Sequence, residues 1–238
     1  MNFIAGEIIC IDKPLRWTSF DAVKRIRGAI YRRINVRKIK VGHAGTLDPL
    51  ATGVMIICTG RSTKEIDRLQ SGVKEYIADI ALGATTPSFD RETEIDATYP
   101  TGHISQALVE DVLTRFTGRI EQVPPEYSAC KIDGRRAYDM ARAGVEVKLK
   151  PKVLVIDEIE LLEYSSELIK IRVVCSKGTY IRALARDIGR ALQSGAHLAA
   201  LRRTRVGDVT IGQCMSVDDA VKLIAETPVE FPDDYPIS

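Results

Sequence analysis

Between residues 42 and 53 the chain reads Gly42-His43-Ala44-Gly45-Thr46-Leu47-Asp48-Pro49-Leu50-Ala51-Thr52-Gly53. Three glycines allow tight turns and close approach of a ligand, and Pro49 biases Asp48 away from helical backbone. The stretch separates two regular patterns. Before it, Phe20, Val23, Ile26 and Ile30 recur at helical spacing behind Thr18 or Ser19, which predicts a capped helix running to Arg33. After it, Val54 to Cys58 is an apolar strand. Asp48 therefore sits on an irregular, preset loop between a helix and a strand, where binding and catalytic groups concentrate. A lone Asp-Pro is more simply explained as an Asx-type turn whose carboxylate only bonds nearby amides.

The flanking segments define the rest of the fold. Glu7 to Asp12 is a strand that Lys13-Pro14 ends, and Ser62 to Leu69 is helical. Lys74 to Gly83 alternates as a strand with Tyr76, Ala78, Ile80 and Leu82 on one face. Leu108, Val109, Val112, Leu113 and Phe116 predict an amphipathic helix stopped by Gly118, with two short strands after it. Residues 124–152 open on Pro124-Pro125 and are rich in Lys and Arg, with a short helix from Arg135 to Arg142 closed by Gly144, a basic insertion into the sheet. Strands at Val153 to Glu163 and Glu167 to Cys175 return to the sheet. A helix follows from Thr179 to Gln193, bounded by Gly195, and Ser216 with Asp219 resembles a capping box for a last helix through Ala225. Strands and helices mix without β-α-β alternation, which predicts an α+β fold with a mixed, mainly antiparallel sheet flanked by helices. The expected organisation is one catalytic domain over 1–226 and a short, irregular acidic tail over 227–238.

Composition narrows the function classes. A chain of 238 residues, 45% hydrophobic and 28% charged, has the profile of a soluble globular protein. Met1 to Cys10 has no basic leader and Glu7 breaks its apolar run, so neither signal peptide nor membrane span is expected, and a cytoplasmic location follows. Five scattered cysteines without a C-x-x-C pair read as reduced thiols. Three histidines without metal-ligand spacing imply no metal, and no cofactor is expected. The net charge of +2 conceals segregation: residues 11–40 hold ten Lys and Arg against two Asp, a local balance of +8. Further basic groups fall at Arg135, Arg136, Arg142, Lys148, Lys150, Lys152, Arg202, Arg203 and Arg205, while the chain beyond Met215 is acidic. Such segregation suits a polyanionic partner whose counterions Lys and Arg displace, although a basic helix facing water explains the charge equally well.

Three further segments carry chemistry. In Cys175 to Gly189, Thr179 caps the helix and leaves Tyr180 and Arg182 at its anion-attracting end, where an Arg can keep a carboxylate ionised. Lys74-Glu75-Tyr76 opens the alternating strand, and core packing is the ordinary reason for an aromatic there. Pro124-Pro125, Ser128-Ala129-Cys130-Lys131, Gly134 and Tyr138 interleave basic with aromatic residues, a mixture that suits RNA.

Together these segments resemble the tRNA pseudouridine-55 synthases of the TruB family, from Gly6 to about Gly207. The likeness is carried by Asp12-Lys13-Pro14 with Thr18-Ser19, by His43 with Gly45-Thr46-Leu47-Asp48-Pro49 and Gly53, and by Lys74 with Tyr76. Pro124-Pro125, Ser128-Ala129, Lys131, Gly178-Thr179-Tyr180-Ile181-Arg182 and Leu201-Arg202-Arg203-Thr204 add to it. The resemblance implies that Asp48 is the catalytic aspartate, that Tyr76 stacks on a flipped uracil and that Arg182 pairs with the aspartate. It implies that Tyr180 is a second active-site aromatic and that His43 fills the space left by extruded bases. Lys13, Lys74, Lys131 and Arg202 are expected on the RNA. The implied partner is the T-arm stem-loop of tRNA, bound by a monomer without metal or membrane. The family often continues into a PUA-type RNA-binding domain, and only about thirty residues follow Gly207 here, so no PUA domain and weaker, less salt-tolerant tRNA binding are expected.

Pseudouridine formation breaks the bond from ribose to N1, rotates the base and rejoins it through C5. One carboxylate suffices for this, by attack on sugar or base or by taking a ribose proton. An anionic Asp48 needs a cation to oppose desolvation, and Arg182 is the candidate. A hydrolase of N-glycosidic bonds is the competing enzyme, but it would want a second carboxylate to activate water. A tRNA-binding chaperone is the competing non-enzyme.

Overall fold

The computed structural model describes residues 1–36, 38–127 and 149–232, together with the backbone of residues 131–132 and 135–136. In chain order the main elements are β1 (Ile8–Lys13), α1 (Ser19–Ile34), β2 (Val41–His43), β3 (Ala51–Thr59), α2 (Ile66–Ser71) and β4 (Lys74–Leu82). Next come α3 (Gln106–Thr114), β5 (Gly118–Gln122), β6 (Lys152–Tyr164), β7 (Leu168–Cys175) and α4 (Ile181–Ala191). The chain continues through β8 (Ala196–Val206), β9 (Val209–Thr210), β10 (Met215–Ser216) and α5 (Val217–Glu226). The class is α+β, and the strands pair mainly antiparallel, with β1 and β10 a parallel exception. No helix among the described residues is long and apolar enough to cross a membrane.

The chain divides into two compact units, Met1–Lys74 with the segment from Arg202 onward, and Glu75–Leu201. In the first, strands run in the order β10-β1-β3-β8. Thr18 and Asp21 form a reciprocal capping box at the start of α1, and Asn35 closes the helix in the left-handed conformation. Ala22, Val23, Ile26, Ala29 and Ile30 form the buried stripe of α1, which packs with Ile9, Ile11, Met55, Ile57 and, from α5, Val217, Ala220 and Ile224. A second cluster, Ala44, Val54, Ile56, Cys58 and Val206, seals the other face of β3. Alternation along β3 fails because both of its faces are covered.

In the second unit β4, β7, β6 and β5 lie in that order. The β6–β7 ladder runs from Ile156↔Cys175 to Tyr164↔Ile169 with two register shifts, and β5 pairs with β6 from Gly118↔Ile156 to Gln122↔Lys152. Val109, Val112 and Leu113 of α3 and Ile181, Leu184 and Ile188 of α4 supply buried apolar side chains.

Several expectations change. Phe20, read as part of the buried stripe, is 61% exposed and the small Ala22 and Ala29 take the inward positions. Ser62 to Leu69 divides into a 3-10 turn over Gly60–Glu65 and then α2. Thr179 caps nothing: its hydroxyl donates to Ser176 O, and Tyr180 is the N-cap without a side-chain bond. Arg135–Arg136 is a two-residue strand paired with Lys131–Ile132, so the helix expected from Arg135 does not start there. The remainder of that helix, to Arg142 and Gly144, lies outside the described residues. Strand β8 has no counterpart in the sequence pattern, because alanines and arginines dilute its apolar alternation.

Candidate active site

In the first unit Asp48 sits, half-buried, on the loop between β2 and β3. The loop is held through its backbone. Ser19 Oγ accepts from Leu47 N at 2.8 Å and donates to Leu47 O at 3.0 Å, bracketing the residue before Asp48. On the other side Arg203, 1% exposed, donates to Gly45 O at 3.0 Å, Thr46 O at 3.3 Å and Val54 O at 2.8 Å. Ala51 N closes a turn on Asp48 O at 3.1 Å and Arg16 N donates to Pro49 O at 2.8 Å. Gly53, at φ +106, is indispensable to this arrangement, since a Cβ there would lie 2.1 Å from Arg203 O. Buried backbone acceptors need partners, and this clamp supplies them from residues distant in sequence.

Loss of the Ser19 hydroxyl strands both polar groups of a buried residue. Ser19→Ala is expected to lower unfolding stability by about 1 to 3 kcal/mol in urea titration and to reduce turnover more than substrate affinity. An unchanged urea midpoint would mean that the hydroxyl does not hold the loop.

The expected RNA contacts near this loop are placed differently from the sequence reading. Lys13 is fully buried, with Nζ donating to Pro14 O at 2.9 Å and Trp17 O at 2.6 Å. Burial pulls its pKa down to about 8, and the charge of Asp48 opposes that fall. Lys74, 5% exposed, donates to Gln70 O and Gly72 O. Arg202 pairs with Asp12 at 2.7 Å and reaches Thr52 Oγ1 at 3.4 Å. The His43 Nδ1 is buried with no hydrogen-bond partner among the described residues. Burial first, and then the charge of Arg203, lower the pKa of His43, so its imidazole is neutral at pH 7.

The Lys13 shift has a sign. Below about pH 8 both folded and unfolded chains hold the proton, and the folded state bears the full desolvation cost. Between about 8 and the ordinary 10.5 the unfolded chain binds more protons, so this residue favours folding increasingly as pH rises. The unfolding free energy of the natural protein minus that of Lys13→Met is expected to grow across this window by up to about 3 kcal/mol. Urea titrations at pH 7.5 and 10 measure it, and a pH-independent difference would contradict the shift.

In the second unit Tyr76 is 8% exposed on the inward face of β4 that the alternation predicts. Arg182, in the first turn of α4, is 4% exposed and donates to Ser88 O at 3.2 Å and Tyr127 O at 2.9 Å. Its Nε lies 3.7 Å from Oδ2 of the equally buried Asp90. Asp90 in turn accepts from Ser88 Oγ at 2.5 Å and Glu92 N at 2.9 Å. The backbone of Tyr180 is gripped by the buried amide of Gln122: its N–H donates to Oε1 at 2.9 Å and its carbonyl accepts from Nε2 at 3.2 Å. One turn further, Arg186 stacks 4.7 Å over Phe89 and bonds both carboxylate oxygens of Asp187.

Sequence reading missed Ser19, Arg203, Asp90 and Arg186 as structural members of these two groups. Asp90 fell in a polar connection with no periodicity. For Arg203 a signal existed, since strand alternation from the buried Leu201 points residue 203 inward and Arg202 outward. The side chain of Lys131 lies outside the described residues, as do Ser128, Ala129, Cys130, Gly134 and Tyr138. Among the described residues Cys10, Cys58, Cys175 and Cys214 stand outside any disulfide, and no cluster of metal-ligating side chains occurs.

Comparison with known proteins gives this geometry a context. Residues 32–181 match the N-terminal domain model of the TruB family pseudouridylate synthases, and residues 182–230 match a tRNA pseudouridylate synthase B C-terminal domain. The tRNA pseudouridine synthase B of Phocaeicola vulgatus is 65% identical over 97% of this chain and 98% of its own length. That of Bacteroides fragilis is 64% identical over 98% and 100%. Among solved structures, a Cbf5-Nop10-Gar1 complex contains a chain that matches with TM-score 0.70 and 30% identity over 93% of this chain. An H/ACA RNP bound to a substrate RNA containing 2'-deoxyuridine matches with TM-score 0.67 and 28% identity over 92%. The present chain spans 55% and 53% of those two chains. With family models matching on both sides of residue 181 and near-full-length identity above 60%, the chain belongs to the TruB family of pseudouridylate synthases.

Proposed function

We propose that this protein isomerises the T-loop uridine at position 55 of tRNA to pseudouridine, with Asp48 as the carboxylate that acts on the nucleoside. The observation that carries the reading is Asp48 on a loop locked by Ser19 and Arg203, in a chain whose full-length relatives are named tRNA pseudouridine synthase B. In the reaction the C1'–N1 bond breaks, the uracil rotates and C1' bonds to C5. The proton on C5 leaves and N1 gains one, so no oxidant, reductant, metal or cofactor is needed.

Extruding the uridine from a folded loop costs a few kcal/mol, and stacking on Tyr76 returns about 1 to 3 kcal/mol. His43, as a neutral imidazole, fills the vacated space at no charge cost, and Tyr180 provides a second ring. Arg182 is the residue that the family resemblance pairs with the catalytic aspartate, and in the second unit its guanidinium is held by Ser88, Tyr127 and Asp90. Phosphates fall to Lys131 and Arg202, whereas the interior Lys13 and Lys74 serve the site by holding the turns whose carbonyls they bind. The enzyme acts in this reading as a cytoplasmic monomer on the T-arm stem-loop, with one catalytic domain over 1–226 and a tail over 227–238.

The test is incubation with an unmodified tRNA transcript followed by mapping of pseudouridine. Modification at the T-loop uridine is expected; release of free uracil would identify a hydrolase instead. Arg182→Ala is expected to lower turnover at least about 100-fold with a few-fold change in binding. An effect confined to binding would reassign Arg182 to phosphate contact.

A further inference from the structure

Along α1 the first unit carries a groove of about 730 Å³. Lys24, Arg27, Tyr31 and Arg32 rise along it, Trp17 stands at its near end and Gly28 forms its floor. The spacing 24, 27, 28, 31, 32 places these residues on one helical stripe, opposite the buried Ala22, Val23, Ile26, Ala29 and Ile30. A glycine in the middle of a helix lowers its stability relative to alanine. Among the described residues a Cβ here would meet only the Arg32 Nη1, at 3.7 Å, so the missing side chain leaves open space rather than a tight fit.

Charge and ring faces together define what fits. Among the described residues five cations line the groove, of which Arg25 also pairs with Asp218 at 3.6 Å, and the one anion of the lining, Asp21, is committed to the capping box with Thr18. Tyr31 is 38% exposed, and Phe20, beside the groove, is 61% exposed under the Arg27 guanidinium at 5.8 Å. Cationic side chains interleaved with open aromatic faces bind phosphates and stack bases, which only unpaired nucleotides can offer together. A duplex hides its base faces and leaves the rings unused. The near end adjoins the Asp48 loop through the Arg16 N to Pro49 O bond, and the stripe extends about 20 Å from there along the helix.

We infer that this groove binds an unpaired segment of the RNA substrate, outside the loop that carries the modified uridine. The inference rests on the reading of the protein as a tRNA-modifying enzyme, and deepens it by placing a second contact on α1.

The test is fluorescence anisotropy with an eight-nucleotide single-stranded oligouridylate, a duplex of equal length and whole tRNA. The combined variant Lys24→Glu, Arg27→Glu, Arg32→Glu is expected to weaken single-strand binding at least tenfold and to flatten its salt dependence by about two in log-log slope. Tyr31→Leu is expected to weaken it roughly tenfold at unchanged slope. Gly28→Leu, which fills the floor without altering charge, is expected to do the same while the thermal midpoint holds or rises. Whole-tRNA affinity falls in all three, whereas saturated turnover of an isolated T-arm stem-loop stays at the natural rate. Unchanged single-strand affinity in these variants overturns the inference, as does an equal loss for duplex and single strand. Loss of binding to phosphatidylserine vesicles with RNA affinity intact would assign the groove to a membrane and overturn it equally. Failure of the natural protein to form pseudouridine in tRNA would sink the functional reading alone, because the oligonucleotide arms involve no turnover.

Discussion

Asp48→Asn is expected to abolish pseudouridine formation, with kcat down at least about 1,000-fold, while tRNA binding stays within a few-fold of the natural protein. The substitution keeps the shape of the side chain and removes its charge and nucleophilicity. The clamp on the loop is indifferent to that change. Ser19 and Arg203 bond the backbone of residues 45, 46, 47 and 54, and those contacts do not depend on the side chain at 48. A second readout is independent of turnover. Asp48 is the largest influence holding the Lys13 pKa up against burial, so the variant's Lys13 should titrate below its natural value of about 8. Single-turnover conversion and tRNA anisotropy together decide the matter. Turnover near the natural rate would remove Asp48 from the chemistry, and an equal loss of binding and turnover would make it a structural or RNA-holding residue.

Arg203→Met is expected to cost at least about 3 kcal/mol of unfolding stability and, in the protein that remains folded at low temperature, to lower kcat by about 100-fold with little change in KM. The reason is the number of acceptors involved. Gly45, Thr46 and Val54 carbonyls all accept from one guanidinium that is itself 1% exposed, and methionine offers them no donor. Freed of that grip, the loop that presents Asp48 relaxes, and a displacement of about 1 Å is enough for the rate loss. Arg203→Lys restores a single donor site without the planar fork and should fall between the two. Its neighbour provides the control: Arg202 is half-exposed and paired with Asp12, so Arg202→Met should change stability by no more than about 1 kcal/mol. Equal costs at 202 and 203 would contradict the buried clamp.

What could be read along the chain was governed by near neighbours. The cap of α1 at Thr18 or Ser19, the alternation Tyr76, Ala78, Ile80, Leu82 and the Ser216 cap each depend on residues two to four apart. The loop around Asp48 was legible for a similar reason, since three glycines and a proline restrict backbone locally. The resemblance to the TruB family then assigned chemistry to that loop, which periodicity alone left open against an ordinary Asx-type turn.

Burial of charge was not legible in this way. Lys13 and Arg203 read as parts of basic runs suited to a polyanion, and Lys74 as an RNA contact implied by the resemblance, yet all three lie inside, on backbone carbonyls. Arg203 and Gly45 are 158 positions apart, and no local pattern encodes that meeting. Asp90 and Arg182, 3.7 Å apart at closest, are likewise separated by a long stretch of chain. Short-range steric and hydrogen-bonding rules thus determined which segments are helices, strands or turns. Whether a given cation meets solvent or a buried acceptor was decided only by folding, because the desolvation of a charge depends on everything packed around it.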